Sequence, residues 1–275
     1  MFFMKKLTTK AKQMNSLCRD NYIEKIALKL IMMVALMVLL NGCGKAATGE
    51  DASGIDGRNE NASDSHVDFD KLKSDNSDIF AWIYVPDTNI DYPVCQNLDG
   101  DDSFYMTHNA MRQDDPKGAI YTESANLTNM CDFNEVLHGS SPSDGTMFAD
   151  LQKFLDKKYF DDHEYIYVYL DGNALVYYVY AAFSRPDTRL LEVYDFTYAS
   201  GCQAFLDEID HNKSMDKMLR TGWEGAVKPD NFIITLSTRN TDDPSKQTVV
   251  VGCLVGDARG TIDRVVDYSE PGEDW

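Results

Sequence analysis

The chain has 275 residues and a formal net charge of −19, from 45 acidic and 26 basic side chains. That balance argues against nucleic acid as a partner, because phosphate binding needs clustered Lys and Arg. Hydrophobic residues make up 43% of the sequence and aromatic residues 11%, enough for a full core in one large domain or two small ones.

Residues 1–42 read as a targeting segment. Lys5, Lys6, Lys10, Lys12, Arg19, Lys25 and Lys29 form a basic front, and Leu30–Leu40 is unbroken apolar sequence. Leu40-Asn41-Gly42-Cys43 follows and resembles a bacterial lipoprotein signal, in which cleavage leaves Cys43 to carry lipid. The expected location is therefore the outer face of the cytoplasmic membrane, with the membrane reached through the lipid on Cys43. The apolar run is shorter than the ~20 residues of a spanning helix; an uncleaved signal anchor is the alternative. Residues 43–66 are rich in Gly, Ala, Ser, Asn and Asp and read as a flexible linker.

The folded domain is expected over 67–256. Residues 67–79 have Phe69, Leu72 and Ile79 near helical spacing and predict a short amphipathic helix. Residues 80–96, FAWIYVPDTNIDYPVCQ, are broken at Pro86-Asp87-Thr88 and at Pro93, and predict two short strands joined by a turn. His108 has no second His or thiolate at a useful spacing and reads as a structural hydrogen bonder. Residues 134–151, NEVLHGSSPSDGTMFADL, read as a strand, a polar turn closed by Asp144-Gly145, and a helix that Thr146 could cap. Residues 165–170 and 175–183 form a hairpin around Asp171-Gly172. Residues 184–229 are a long insertion, with a helix over Cys202–Ile209 that Met215–Leu219 extends.

The stretch 232–255, FIITLSTRNTDDPSKQTVVVGCLV, reads as two strands buried on both faces, at the centre of a sheet. Residues 257–275 are polar and acidic and are expected to form a loosely held tail. Four cysteines lie in the domain: Cys95, Cys131, Cys202 and Cys253. They show no CxxC spacing and no His at metal distance, so no metal or cofactor is expected. They read as unpaired buried thiols, with pairing left open.

The domain closely resembles the class B sortases, cysteine transpeptidases of Gram-positive cell surfaces. Trp82-Ile83, the Pro86 turn and Ile90-Asp91-Tyr92-Pro93-Val94 match that family's opening, and Lys117-Gly-Ala-Ile-Tyr121 matches its Gly-led strand. Thr235-Leu236-Ser237-Thr238 matches the motif that ends in the nucleophilic Cys. The resemblance implies a mostly β fold with peripheral helices (α+β). It would be a closed β-barrel of about eight strands, with an N-terminal helix and a helix in the insertion before the penultimate strand. It also implies a site, and there this chain departs from the family. The Cys position holds Arg239, the His position Ser140, and the Arg position Gln247.

Arg is never deprotonated in a protein, and a serine hydroxyl cannot replace imidazole as an acid near neutral pH. Gln247 could still donate one hydrogen bond, without charge. No catalytic residue is expected at these positions. His138, Ser237 and Thr238 are the substitutes from which a rearranged site could be built. Arg239 either meets a ligand carboxylate or pairs with Asp242 or Asp243. The reading is an exported pseudo-sortase that binds a sorting-signal peptide or a peptidoglycan fragment. The alternative is an active or partner-dependent sortase-type transpeptidase or hydrolase with rearranged residues.

Overall fold

The structure is a computed structural model that describes residues 67–271. The expected signal, the lipidation position Cys43 and the linker lie outside the described residues.

Helix α1 (Phe69–Asp75) starts at Asp68, whose side chain accepts from the Lys71 amide, and buries Phe69. Ile79, expected in this helix, instead opens the first strand, because the Asn76 side chain turns the chain there and accepts from the Asp78 amide. The strands are β1 (Ile79–Tyr84), β2 (Asp91–Cys95), β3 (Ile120–Tyr121), β4 (Asn134–His138), β5 (Tyr165–Leu170), β6 (Asn173–Pro186), β7 (Met218–Leu219), β8 (Ile233–Arg239) and β9 (Lys246–Asp257). They join in the order β5-β1-β2-β3-β4-β8-β9-β6, and β6 pairs back with β5. Eight strands thus close a barrel, with β7 appended to β6. Closure removes the open edges that an exposed sheet would leave unpaired.

Alternation fills the barrel. Ile83, Val94, Leu137, Ile166, Val168, Leu175, Leu236 and Val250 point inward and are almost fully buried. A second core lies outside the barrel, under the insertion. There α4 (Ala199–His211) sets Cys202, Phe205, Leu206 and Ile209 against Phe183, Ile233, Val249 and Val251. Its apolar stripe recurs at helical spacing, as the sequence predicts. A four-residue helix α3 (Leu190–Val193) precedes it.

Two local expectations need correction. The helix expected after Thr146 is a 3-10 helix over Ala149–Leu155, followed by α2 (Lys157–Asp162). Thr146 does not cap it; its hydroxyl donates to Asp144 Oδ1 at 2.7 Å and closes the preceding turn. Met215–Leu219 does not extend α4. Met218–Leu219 pairs with β6 as β7, and the helix has already ended at His211. The segment past β9, expected to be a loose tail, is tied to the insertion and to the loop before β8: the Asp267 carbonyl accepts from Ala199 N, and Tyr268 donates to Asp230.

His108 is a structural bonder. Its Nδ1 sits 2.9 Å from the Phe104 carbonyl, its Nε2 3.1 Å from Asp114, and its ring stacks on Phe104. Cys95, Cys202 and Cys253 are buried and unpaired; Cys131 is unpaired too, but lies partly exposed and not buried as expected.

Candidate functional site

A cleft of about 760 Å³ opens where β4 and β8 end. These strands run parallel, with His138 opposite Ser237. Alternation along β8 sends Ser237 and Arg239 to the same side as His138. The chain then leaves β4 through Gly139. A Cβ there would lie 2.5 Å from Ile120 Cδ1 and 2.7 Å from the Phe148 ring, so only glycine passes. Ser140 follows at the cleft wall. Gln247 enters from β9, where it pairs with Arg239 and with Arg185 of β6. The cleft therefore gathers all six positions singled out in the domain: His138, Ser140, Ser237, Thr238, Arg239 and Gln247.

Most of their hydrogen-bonding capacity is already spent. The Ser140 hydroxyl donates to the Lys117 carbonyl at 2.6 Å. Gln247 Nε2 donates to the Thr188 and Pro186 carbonyls at 2.7 and 3.2 Å. Its Oε1 accepts from Ser237 Oγ at 2.5 Å. Gln247 thus fastens β9 to the segment after β6, and its donors are not free for a ligand oxygen, contrary to the expectation of a spare hydrogen bond. Ser237 is likewise committed. Thr238 Oγ1 is buried without a hydrogen-bond partner.

Arg239 is different. Its side chain is 70% exposed, and the carboxylate it faces is Asp187, at 3.7 Å. The expected pairing with Asp242 or Asp243 does not form. Asp243 instead pairs with Lys246 at 3.1 Å, while both aspartate amides are drawn to Asn240 Oδ1. A contact of 3.7 Å between solvated groups is worth little, so the guanidinium remains available.

The cleft also holds a charged cluster that sequence reading missed. Glu123, two residues past β3, is buried. Its Oε1 lies 3.4 Å from His138 Nε2 and 2.9 Å from Arg189 Nε. The imidazole is within ion-pair range but off the hydrogen-bond line, and His138 Nε2 has no hydrogen-bond partner. Arg189 also reaches Asp102 at 3.2 Å and Glu192 at 2.8 Å. Burial alone would raise the Glu123 carboxyl, but His138 and Arg189 outweigh it and hold it at about 2. Burial and the charge of Glu123 push the neighbouring Tyr121 hydroxyl up to about 12. Glu123 and Arg189 are far apart in sequence, and no spacing signal joins them.

Among the described residues, no hydroxyl is hydrogen-bonded to His138. Cys253 lies outside the cleft, in the core under α4, and burial pushes its thiol up to about 12. It cannot supply a thiolate to the cleft.

No family model matches the chain. Sortase B of Listeria monocytogenes is 32% identical over 189 residues, spanning 67% of this chain and 72% of that protein. The chain belongs to the class B sortase family. Sortase B of Staphylococcus aureus is 28% identical over 192 residues, spanning 68% of this chain and 74% of that protein. Solved class B sortases share the barrel. A mutant form of Clostridium perfringens sortase B matches with a TM-score of 0.61 and 27% identity, over 68% of this chain and 86% of that one. A Staphylococcus aureus sortase B–substrate complex matches with a TM-score of 0.58 and 25% identity, over 68% and 84%. The sortase barrel places the cleft of this chain at the ends of β4 and β8, between the barrel wall and the insertion.

Proposed function

We propose that this class B sortase homologue is a pseudo-sortase. It is exported and lipid-anchored through Cys43, and it binds a peptide or cell-wall fragment without transferring it. One observation carries this reading. At the positions where the family has thiol, imidazole and guanidinium stand Arg239, Ser140 and Gln247, and the last two are consumed by the protein's own backbone and Ser237. Transpeptidation needs a nucleophile to attack the carbonyl, an acid for the departing amine and a donor for the oxyanion. Among the described residues, no thiol lines the cleft and no hydroxyl there is hydrogen-bonded to an imidazole, so the first of these roles has no group to fill it.

Binding survives the loss of chemistry. A Staphylococcus aureus sortase B holds a substrate on the same fold. Here the exposed guanidinium of Arg239 suits a carboxylate, through charge-assisted hydrogen bonds. Such a protein would assist the anchoring of surface proteins by holding a sorting segment or a peptide stem of the wall. The test is calorimetric titration of sorting peptides and peptidoglycan fragments that end in a free or an amidated carboxyl. The reading expects Arg239→Ala to weaken the free-acid ligands roughly tenfold and to leave the amides unchanged. Equal binding of acid and amide by the natural chain would count against it.

A second reading rests on the Glu123–His138 pair, which holds an imidazole beside Ser237 as a base is held in a hydrolase. It would make the protein an active or partner-dependent hydrolase or transpeptidase. Against it, the Ser237 hydroxyl donates to Gln247 and not to His138. Labelling of a serine by a fluorophosphonate probe would favour this second reading.

A further inference from the structure

The outer face of β1, β5 and β6 breaks the usual rule for a solvated sheet, in which outward positions are polar. Along β5, Ile166 and Val168 point into the barrel, and the alternate positions are Tyr165, Tyr167 and Tyr169. Along β1, Trp82 and Tyr84 take the outward positions beside inward Ala81 and Ile83. The register sets Trp82 opposite Tyr169, Tyr84 opposite Tyr167, and Tyr165 opposite Tyr178. The rings of Tyr84, Tyr167, Tyr165, Tyr178 and Trp223 follow one another at 5.1–6.4 Å. Each of these rings is half-buried, so part of it meets solvent. β5 packs against its two neighbouring strands, and among the described residues it makes no extensive contact with a helix.

Cross-strand aromatic pairs stabilise a sheet by themselves. Pairing alone does not call for Tyr or Trp at every outward position of a strand, where Thr or Val would serve the backbone as well. What distinguishes the face is its chemistry: flat apolar rings that end in hydroxyl or indole N–H groups, beside carboxylates. Trp82 Nε1 donates to Asp91 at 2.6 Å, and the Tyr178 hydroxyl donates to Glu164 at 3.3 Å. Together with a net charge of −19, these carboxylates repel anionic polymers, anionic lipid headgroups and a second copy of this chain.

We propose that this face is a docking surface for a neutral polysaccharide. The C–H faces of successive sugar rings would stack on the tyrosine and tryptophan rings, and sugar hydroxyls would donate to Asp91 and Glu164. The surface lies on strands that do not supply the cleft positions, and the proposal stands whether or not the cleft binds a peptide.

The experiment is co-sedimentation of the purified full-length protein, kept in neutral detergent, with insoluble chitin and cellulose. Soluble chito-oligosaccharide is added in parallel, and the fluorescence of Trp82 and Trp223 is followed. The natural chain is expected to sediment with the polysaccharide and to change its fluorescence. The double variant Tyr84→Ser, Tyr167→Ser should bind roughly tenfold less, because it removes two of the stacking rings. Tyr84→Phe with Tyr167→Phe keeps the rings and the fold and should retain binding, and Arg239→Ala should bind as the natural chain does. Failure of the natural chain to bind either polymer would overturn the proposal. So would binding that the serine variant keeps, or a face occupied instead by a dimer in sedimentation equilibrium or by neutral phosphatidylcholine vesicles.

Discussion

Glu123 shows how one residue can be held ionised against its burial. Its carboxyl lies at about 2 in the folded protein against an ordinary 4.5, because His138 and Arg189 overcome the desolvation. A depressed carboxyl stabilises the fold above its unfolded value, and that contribution is lost as pH falls from about 4.5 toward 2. The expected size is on the order of 2–3 kcal/mol. Glu123→Gln should therefore lower the unfolding free energy at pH 7, and it should flatten the acid limb of the stability curve between pH 4.5 and 2. Denaturant titrations at several pH values check this; an unchanged acid limb would mean that the cluster is not coupled to folding. Gln247 makes the complementary case. Gln247, which the motif resemblance sets at the family's Arg position, is an amide whose two ends join β9 to Ser237 and to the segment after β6. Gln247→Ala removes three hydrogen bonds among buried groups and should cost about 2–3 kcal/mol in the same titrations.

At the scale of elements, the insertion is held to the barrel by side chains that reach across it. Arg220, just past β7, donates to the backbone carbonyls of Val179, Phe160 and His163 at 3.0, 2.6 and 3.0 Å, and stacks over Phe160 and Tyr178. It satisfies the carbonyl end of α2 and fixes that helix to β6. Arg220→Met keeps the apolar stem but strands those carbonyls. It should cost at least ~3 kcal/mol, with part recovered by Arg220→Lys; a loss below 1 kcal/mol would show the clasp to be redundant. Helix α4 depends on a smaller detail. A Cβ at Gly201 would lie 1.9 Å from the Asp195 carbonyl, so the helix can fold back over the segment before it only with glycine there. Arg185 completes the attachment, with its Nε donating to Glu208 of α4 at 2.9 Å.

For the molecule as a whole, individual strands and the continuously apolar central hairpin were legible in their patterns, and the closed barrel was legible through the resemblance to the class B sortases. The short strands and the motifs around them held the register. Of the elements misplaced from sequence, β7 was decided by tertiary contact, since its two residues pair with β6 only after the insertion has folded back, whereas the early start of β1 at Ile79 turns on the local Asn76 side chain. The six cleft positions were legible through the motif resemblance. The charged cluster was not, because Glu123 and Arg189 meet only in the closed barrel. Nor does spacing disclose that Arg239 faces Asp187 in place of its near neighbours Asp242 and Asp243. We propose that a sortase barrel here retains its cleft while the positions matched to the family's reacting groups serve structure. The most direct test is cleavage of a quenched library of sorting peptides by the natural protein, beside an active sortase B as positive control. The account predicts no release above that of the peptide alone over hours, while the control turns over. Steady cleavage by the natural protein would contradict it and would place a working nucleophile in the cleft.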